Sequence, residues 1–130
     1  MDRTDGALTT TECWELLTTA TLGRMALSIH ALPMILLVRY VVDDASVAIS
    51  LNRLGMPVTA VHDAVVAFAV DEIDEVADEG WIVQMQGRAH LTPAIAAEGP
   101  GPVDSVRILR LVPAMVNGLR FTLQPFASVP

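Results

Sequence analysis

The chain has 130 residues, 52% of them apolar, and a formal net charge of −7 at pH 7. This length fits one domain that buries a core without a metal or a disulfide. The single cysteine, Cys13, excludes a disulfide within the chain. The basic residues are scattered singly, which argues against a nucleic-acid-binding protein because such proteins carry a basic stripe.

The high apolar content is better explained by a partner subunit than by a membrane. The longest uncharged stretch, 25–38, is too short to span a bilayer and contains His30 and Pro33. A small monomer rarely exposes a large apolar patch, so a partner subunit is expected. The N-terminus begins with Asp2 and Arg3 and lacks the apolar run of a signal peptide. We therefore expect a cytoplasmic protein.

The first predicted element is a helix over residues 10–19. Thr9 and Glu12 have the spacing of a capping box. Cys13 and Leu17 then recur at helical spacing on an apolar stripe. Gly23 ends the segment, and the stripe is expected to pack on the rest of the domain.

The remaining chain is predicted to be mostly strands. Strands are indicated by β-prone apolar runs and, after Trp81, by strict alternation of apolar and polar residues. Between them we predict a short helix from Pro57 to His62, a solvated acidic segment over 71–79, a helical turn over 94–97 and a loop over 98–102. The last strand is expected to bend near Pro113 or Gly118. The predicted strands are 24–29, 33–42, 46–51, 65–70 and 81–91, and residues 105–123 are predicted to form a long strand or a hairpin.

One helix followed by about six strands with short connections predicts a mainly β, closed antiparallel barrel, because closure removes exposed strand edges. No internal repeat or second domain is evident in the sequence. We predict a single domain over 1–130, with tails at 1–8 and 124–130 and the barrel at 9–123.

Six segments, in order, resemble the pyridoxamine 5'-phosphate oxidase-like flavoproteins, especially their short actinobacterial-type branch. Each segment alone is a weak indication of the family. Their order and spacing over residues 10–121 together are a more specific one. The segments are Leu22-Gly23-Arg24-Met25-Ala26-Leu27-Ser28, Pro33 with Tyr40-Val41-Val42-Asp43, Val66-Ala67-Phe68-Ala69-Val70-Asp71-Glu72-Ile73-Asp74, Gly80-Trp81-Ile82-Val83-Gln84-Met85-Gln86-Gly87-Arg88-Ala89, Val106-Arg107-Ile108, and Val116-Asn117-Gly118-Leu119-Arg120.

The resemblance implies a six-stranded antiparallel split β-barrel with an N-terminal helix and short connecting helices. It also implies a homodimer that holds FMN or a deazaflavin in two grooves at its interface. The implied activity is a flavin- or deazaflavin-dependent oxidoreductase acting on a small molecule. The alternative is a non-enzymatic split-barrel homodimer that has lost the cofactor or binds another small ligand.

The chain departs from the family where the cofactor phosphate is held. The resemblance implies a glycine, a serine or threonine, and a lysine there, whereas this chain has Gly55, Met56 and Pro57. Methionine lacks a hydroxyl and proline lacks a backbone amide, so weak FMN binding is expected. The candidate cofactor-binding residues are Arg39, Asn52, Arg53, Gly55, Met56, Pro57 and Trp81.

Several of these candidates have a second interpretation. Arg53 either binds phosphate or is a solvated loop residue, and Arg39 either faces the groove or caps the barrel end. Trp81 either lies near a cofactor ring or seam, or packs in the core. His30, His62 and His90 lack metal-ligand spacing, so no metal and no catalytic acid or base is assigned. Cys13 is expected to be a buried small apolar residue.

Overall fold

The computed structural model describes residues 6–51, 61–92, 95–96 and 105–127. These residues form one helix and nine strands. The elements are β1 (Gly6–Ala7), α1 (Thr10–Leu17), β2 (Leu22–Ile29), β3 (Leu32–Val42), β4 (Val47–Ser50), β5 (Val65–Asp74), β6 (Glu79–Leu91), β7 (Ile95–Ala96), β8 (Ser105–Val106) and β9 (Ile108–Thr122).

Helix α1 begins at the predicted capping box. The Glu12 amide donates to Thr9 Oγ1, and the Thr9 amide donates to the Glu12 carboxylate, which pairs two amides that a helix start leaves free. Cys13 and Leu17 are buried. The Tyr40 hydroxyl donates to the Leu17 carbonyl and ties the end of α1 to the barrel.

Seven strands form one antiparallel sheet in the order β1-β9-β4-β3-β2-β5-β6. Pairing of β6 with β9 closes this sheet into a barrel, so the mainly β barrel prediction is confirmed. The short strand β4 pairs with β3 only at residues 40–42 of β3. No helix among the described residues is long and apolar enough to cross a membrane.

The barrel interior is filled by alternate residues of each strand. Phe68 is 1% exposed and its ring meets that of Tyr40 edge-on, with centroids 5.1 Å apart. Gly23 lies under the Phe68 ring, where a Cβ atom would overlap it. Trp81, Val83 and Met85 all lie on the inner side of β6 and are buried, as their alternation predicts.

Several predicted boundaries were wrong. Residues 71–74 continue β5, and the turn is confined to 75–78. Residues 95–96 form β7 paired with β8 rather than part of a helical turn. The 105–123 segment is divided into β8 and β9. A register shift at Gln86/Gly87 of β6 lies opposite Pro113, one of the two positions where a bend was predicted.

Gly6 and Ala7, placed in the N-terminal tail, pair with β9 as a seventh strand of the barrel sheet. Most of the helix predicted over 57–62 lies outside the described residues; within them Val61 has 3-10 helical conformation and 62–63 form a turn. Among the described residues α1 is the only α-helix.

Candidate functional site

One side of the sheet presents apolar side chains to solvent. The strand register places Ala26 of β2 between Ile35 of β3 and Ala67 of β5. The next step places Arg24 between Leu37 and Ala69. We call this surface the outer apolar face, and its residues are Leu22, Ala26, Ile35, Leu37, Val41, Val65, Ala67 and Ala69.

The middle of the outer apolar face has short side chains. Ala67 and Ala69 pair on one side with β2 and on the other with Gln86 and Gln84 of β6. Both glutamines are exposed. A strip of alanines, Ala26, Ala67 and Ala69, therefore lies beside the amide side chains of β6, with Arg24 of β2 next to Ala69. Amides can both donate and accept hydrogen bonds.

Arg39 lies at the border of the outer apolar face. It is exposed, its register partner is Leu22, and it precedes Tyr40, the partner of Ile49 in β4. Strand β4 ends at Ser50, shortly before the predicted phosphate segment. In the part of the chain that the structure describes, no ion pair or hydrogen bond engages the Arg39 guanidinium.

Three other arginines on the surface, Arg24, Arg88 and Arg110, are paired. Arg24 forms an ion pair with Asp71 on the outer side of the sheet. Arg88 donates to the Asp63 carbonyl over 2.7 Å, and Arg110 contacts Asp43 over 3.0 Å. Within the described ranges, Arg39 is therefore a cation without an ion-pair partner beside the outer apolar face.

Arg107 has one nitrogen without an acceptor. Its carbonyl accepts a hydrogen bond from the Leu51 amide, which places it beside the end of β4. Its Nε is buried and lacks a hydrogen-bond acceptor among the described residues. The backbone of Arg107 therefore lies beside Leu51, the residue after β4.

Trp81 lies on the opposite side of the sheet from Arg39. It is 7% exposed and packs in the core, and its remaining surface lines an open cavity of about 610 Å³ at the barrel end. Glu72 and Arg120 are its register partners on the two neighbouring strands. The cavity is lined by Glu72, Ile73, Asp74, Glu79, Gly80, Trp81 and Arg120.

Two buried groups are held in their protonated forms. Burial, followed by the charge of Glu72, raises the pKa of Tyr40 to about 12. Burial, followed by the charge of Glu12, raises the pKa of the Cys13 thiol. Neither group is set up as a nucleophile or a general base near neutral pH.

The predicted site is only partly within the described residues. Arg39 is on the outer side of β3, and Trp81 is on the inner side of β6, so the two do not share a surface. The predictions for Asn52, Arg53, Gly55, Met56 and Pro57 lie outside the described residues and stay predictions.

Sequence reasoning did not single out the alanine strip or the Glu72–Trp81–Arg120 row. Both depend on strand register, which brings together residues far apart in the chain. The histidines are exposed; the His62 Nδ1 accepts from the Leu91 amide over 3.0 Å. No cluster of metal-ligating side chains occurs in residues 6–51, 61–92, 95–96 and 105–127.

Comparison with solved structures places the fold among flavin-binding proteins. The FAD-binding protein of Mycobacterium smegmatis is 26% identical, with a TM-score of 0.71, and the alignment covers 90% of this chain and 98% of that one. A FAD-binding protein of Mesorhizobium loti is 19% identical, with a TM-score of 0.70, covering 89% and 96%. A conserved protein of unknown function from Corynebacterium diphtheriae is 20% identical, with a TM-score of 0.72, covering 91% and 98%.

No curated protein sequence matches the chain. The family model for pyridoxamine 5'-phosphate oxidase matches residues 9–99, which is more than half of the chain. The match extends from the start of α1 past the end of β6 and so includes the strands of the outer apolar face. The chain therefore has the split-barrel fold of flavin-binding proteins and belongs to the pyridoxamine 5'-phosphate oxidase family.

Proposed function

We propose that the chain forms a homodimer that binds a flavin nucleotide and uses it to oxidise or reduce a small molecule. The observation that carries the proposal is the outer apolar face with Arg39 at its border, which has no ion-pair partner in the part of the chain that the structure describes, in a chain of this family. The flavin supplies the redox chemistry when bound, and the protein binds and orients it.

The exposed apolar side chains support a second subunit. Ile35 is 73% exposed and Leu37 is 63% exposed, and both lie on one continuous face of paired strands. Burying such side chains stabilises an assembly by about 25 cal/mol per Å² of apolar surface. A two-fold axis would let the same face of each copy cover the other.

The residues of this face suit a flavin. The alanine strip offers a flat, apolar surface for a planar ring, and Gln84 and Gln86 at its side offer donors and acceptors for a polar ring edge. Arg39 offers a guanidinium for a phosphate, which it can bind through two parallel hydrogen bonds. Ring, polar edge and phosphate each have a chemically matched group on the outer side of the sheet.

The form of the flavin is part of the proposal. The sequence resemblance implies FMN or a deazaflavin, whereas two structurally similar proteins are described as FAD-binding. FMN ends in a phosphate monoester, and FAD continues through a diphosphate. A binding comparison of FMN, FAD and a deazaflavin nucleotide decides among them.

A second function is favoured by the sequence at the phosphate position. Met56 and Pro57 supply neither a hydroxyl nor an amine there. The chain would then be a non-enzymatic split-barrel dimer whose groove is empty or holds another small ligand. The fold alone is compatible with both functions, because function depends on the site.

Equilibrium titration separates the two functions. Each of the three nucleotides is added to purified protein, and the fluorescence of the nucleotide is followed. Arg39→Met is expected to weaken flavin binding by about tenfold to a hundredfold, since a hydrogen bond to a charged group is worth about 1.5–3 kcal/mol. Arg110→Met is the matched control, because Arg110 is already paired with Asp43.

The segment predicted to hold the cofactor phosphate, Gly55-Met56-Pro57, is tested by variants in the same titration. Met56→Ser with Pro57→Lys restores two donors and is expected to tighten FMN binding at least tenfold. Arg53→Ala is expected to weaken the remaining binding. Absence of binding to all three nucleotides, in the unmodified chain and in the double variant, contradicts the flavin function and leaves the non-enzymatic dimer.

A further inference from the structure

The cavity at the barrel end combines an aromatic surface with opposite charges. Glu72, Trp81 and Arg120 are register partners on β5, β6 and β9, so their side chains lie side by side on one surface. Trp81 is 7% exposed and forms the apolar centre. Glu72 and Arg120 are exposed on either side of it.

Strand spacing keeps these two charges apart. Neighbouring strands lie about 4.8 Å apart, so the backbones of Glu72 and Arg120 are separated by about 10 Å. Within the described residues, Arg120 has no ion pair or hydrogen bond. Besides the hydrogen bonds from Thr9, the charge of Arg120 lowers the pKa of the Glu12 carboxyl in α1. Among the described residues, the cavity therefore carries a cation and an anion that form no ion pair, and the indole of Trp81 separates them.

The remaining charges are distributed unequally. Asp74 and Glu79 are register partners of each other and line the β5–β6 end of the cavity with Glu72. Arg120 is the only cation in the lining among the described residues. Three carboxylates repel a simple anion, while a simple cation leaves Arg120 unpaired, so the best match is a molecule with both charges.

We infer that this cavity binds a small zwitterion, with an ammonium group and a carboxylate on one apolar frame. The ammonium faces Glu72 and Glu79, the carboxylate faces Arg120, and the frame packs on Trp81. A volume of about 610 Å³ is in the range of small-molecule pockets. The site lies on the other side of the sheet from Arg39 and goes beyond the proposed flavin function.

Fluorescence of Trp81 provides the test. The chain has two tryptophans, and Trp14→Phe leaves Trp81 as the only reporter. The probes are L-phenylalanine, phenethylamine and 3-phenylpropionate, which share a phenyl frame and carry both charges, the ammonium alone or the carboxylate alone. Titrations are run without flavin, so failure of the flavin proposal does not affect them.

The expected result is saturable binding of phenylalanine, about tenfold or more tighter than either single-charge probe. Arg120→Met should weaken phenylalanine and phenylpropionate by about tenfold without weakening phenethylamine. Glu72→Gln should weaken phenylalanine and phenethylamine without weakening phenylpropionate. Arg110→Met and Asp44→Asn are matched controls outside the cavity and should change nothing.

Three results would overturn the inference. They are no saturable binding of any probe, equal affinity for all three, or binding that neither charge variant alters. Isothermal calorimetry on the unmodified chain, with the same probes, gives the same decision if Trp14→Phe does not fold. Flavin added at saturation should leave the phenylalanine affinity unchanged, because the inferred sites are on opposite sides of the sheet.

Discussion

Phe68 is the residue on which the barrel interior depends most. It is among the largest fully buried side chains, and Gly23 and Tyr40 pack against its ring. Phe68→Ala leaves a cavity that rigid strands fill poorly, so a loss of about 3–5 kcal/mol in the free energy of unfolding is expected. Urea denaturation measures it, with the exposed Ser28→Ala as control. A loss below about 1 kcal/mol contradicts this packing.

Tyr40 predicts how stability depends on alkaline pH. Burial and the charge of Glu72 raise its pKa from the ordinary value of 10.0 to about 12 in the folded protein. The folded state then keeps a proton that the unfolded state loses. The stabilisation is complete below pH 10 and decreases as pH rises from about 10 to about 12.

Tyr40 is the only tyrosine in the chain, so phenolate absorbance near 295 nm follows it alone. The folded protein should show phenolate only at about pH 12, and urea-denatured protein near pH 10. In Tyr40→Phe the part of the alkaline stability loss due to this group should disappear. Titration of folded protein near pH 10 would contradict the burial and the hydrogen bond to Leu17.

At the scale of elements, α1 is attached to the barrel through a glycine on β9. A Cβ atom at Gly118 would lie 2.7 Å from Cys13 Sγ and 2.9 Å from Leu8 Cδ1. Gly118→Ala should therefore displace α1 and cost about 1–3 kcal/mol, as overpacking does.

The Cys13 thiol reports this displacement. In the unmodified folded chain, burial and the raised pKa should keep Cys13 unreactive towards an aromatic disulfide reagent. Gly118→Ala should increase its reaction rate, whereas Ser28→Ala should not. A fast reaction in the unmodified chain would mean that α1 does not cover the barrel as described.

Local patterns predicted the elements whose signals are local. The capping box at Thr9 and the alternation after Trp81 predicted α1 and β6 because both depend on neighbouring residues. The extension of β5 to Asp74 was missed because an acidic segment suggests a solvated loop, yet pairing with Glu79 stabilises it. The β7–β8 pair was missed because two-residue strands leave no periodic signal.

The candidate site was predicted less completely, because its faces depend on register. Alternation placed Trp81 with Val83 and Met85, and that face proved to be the inner one. Arg39 was left between two orientations, and pairing with Leu22 places it outside. Glu72 and Arg120 are brought to one surface because each is paired with Trp81 of β6. No local sequence pattern reveals this pairing.

For the whole molecule, the outer apolar face predicts an assembly that a single charge disrupts. Leu37 is 63% exposed on the face, so Leu37→Glu would place a charge in the proposed dimer interface, where burying it costs several kcal/mol. Sedimentation equilibrium should show a dimer for the unmodified chain and a monomer for Leu37→Glu.

The matched control for this charge is on a turn. Val76 is 98% exposed in the 75–78 turn, away from the outer apolar face, so Val76→Glu should remain a dimer. Circular dichroism confirms that each variant is folded. An unmodified chain that stays monomeric at micromolar concentration, or a Leu37→Glu dimer of unchanged affinity, contradicts the assignment of this face.

The central claim is that a flavin nucleotide binds to a dimer of this chain. Sedimentation velocity of the protein mixed with the flavin that binds best, recorded in protein absorbance and in flavin absorbance near 450 nm, tests both parts together. We predict one boundary at twice the chain mass in both signals, with one flavin per chain at saturation. A protein boundary at the mass of one chain, with the flavin left unsedimented, would contradict the claim.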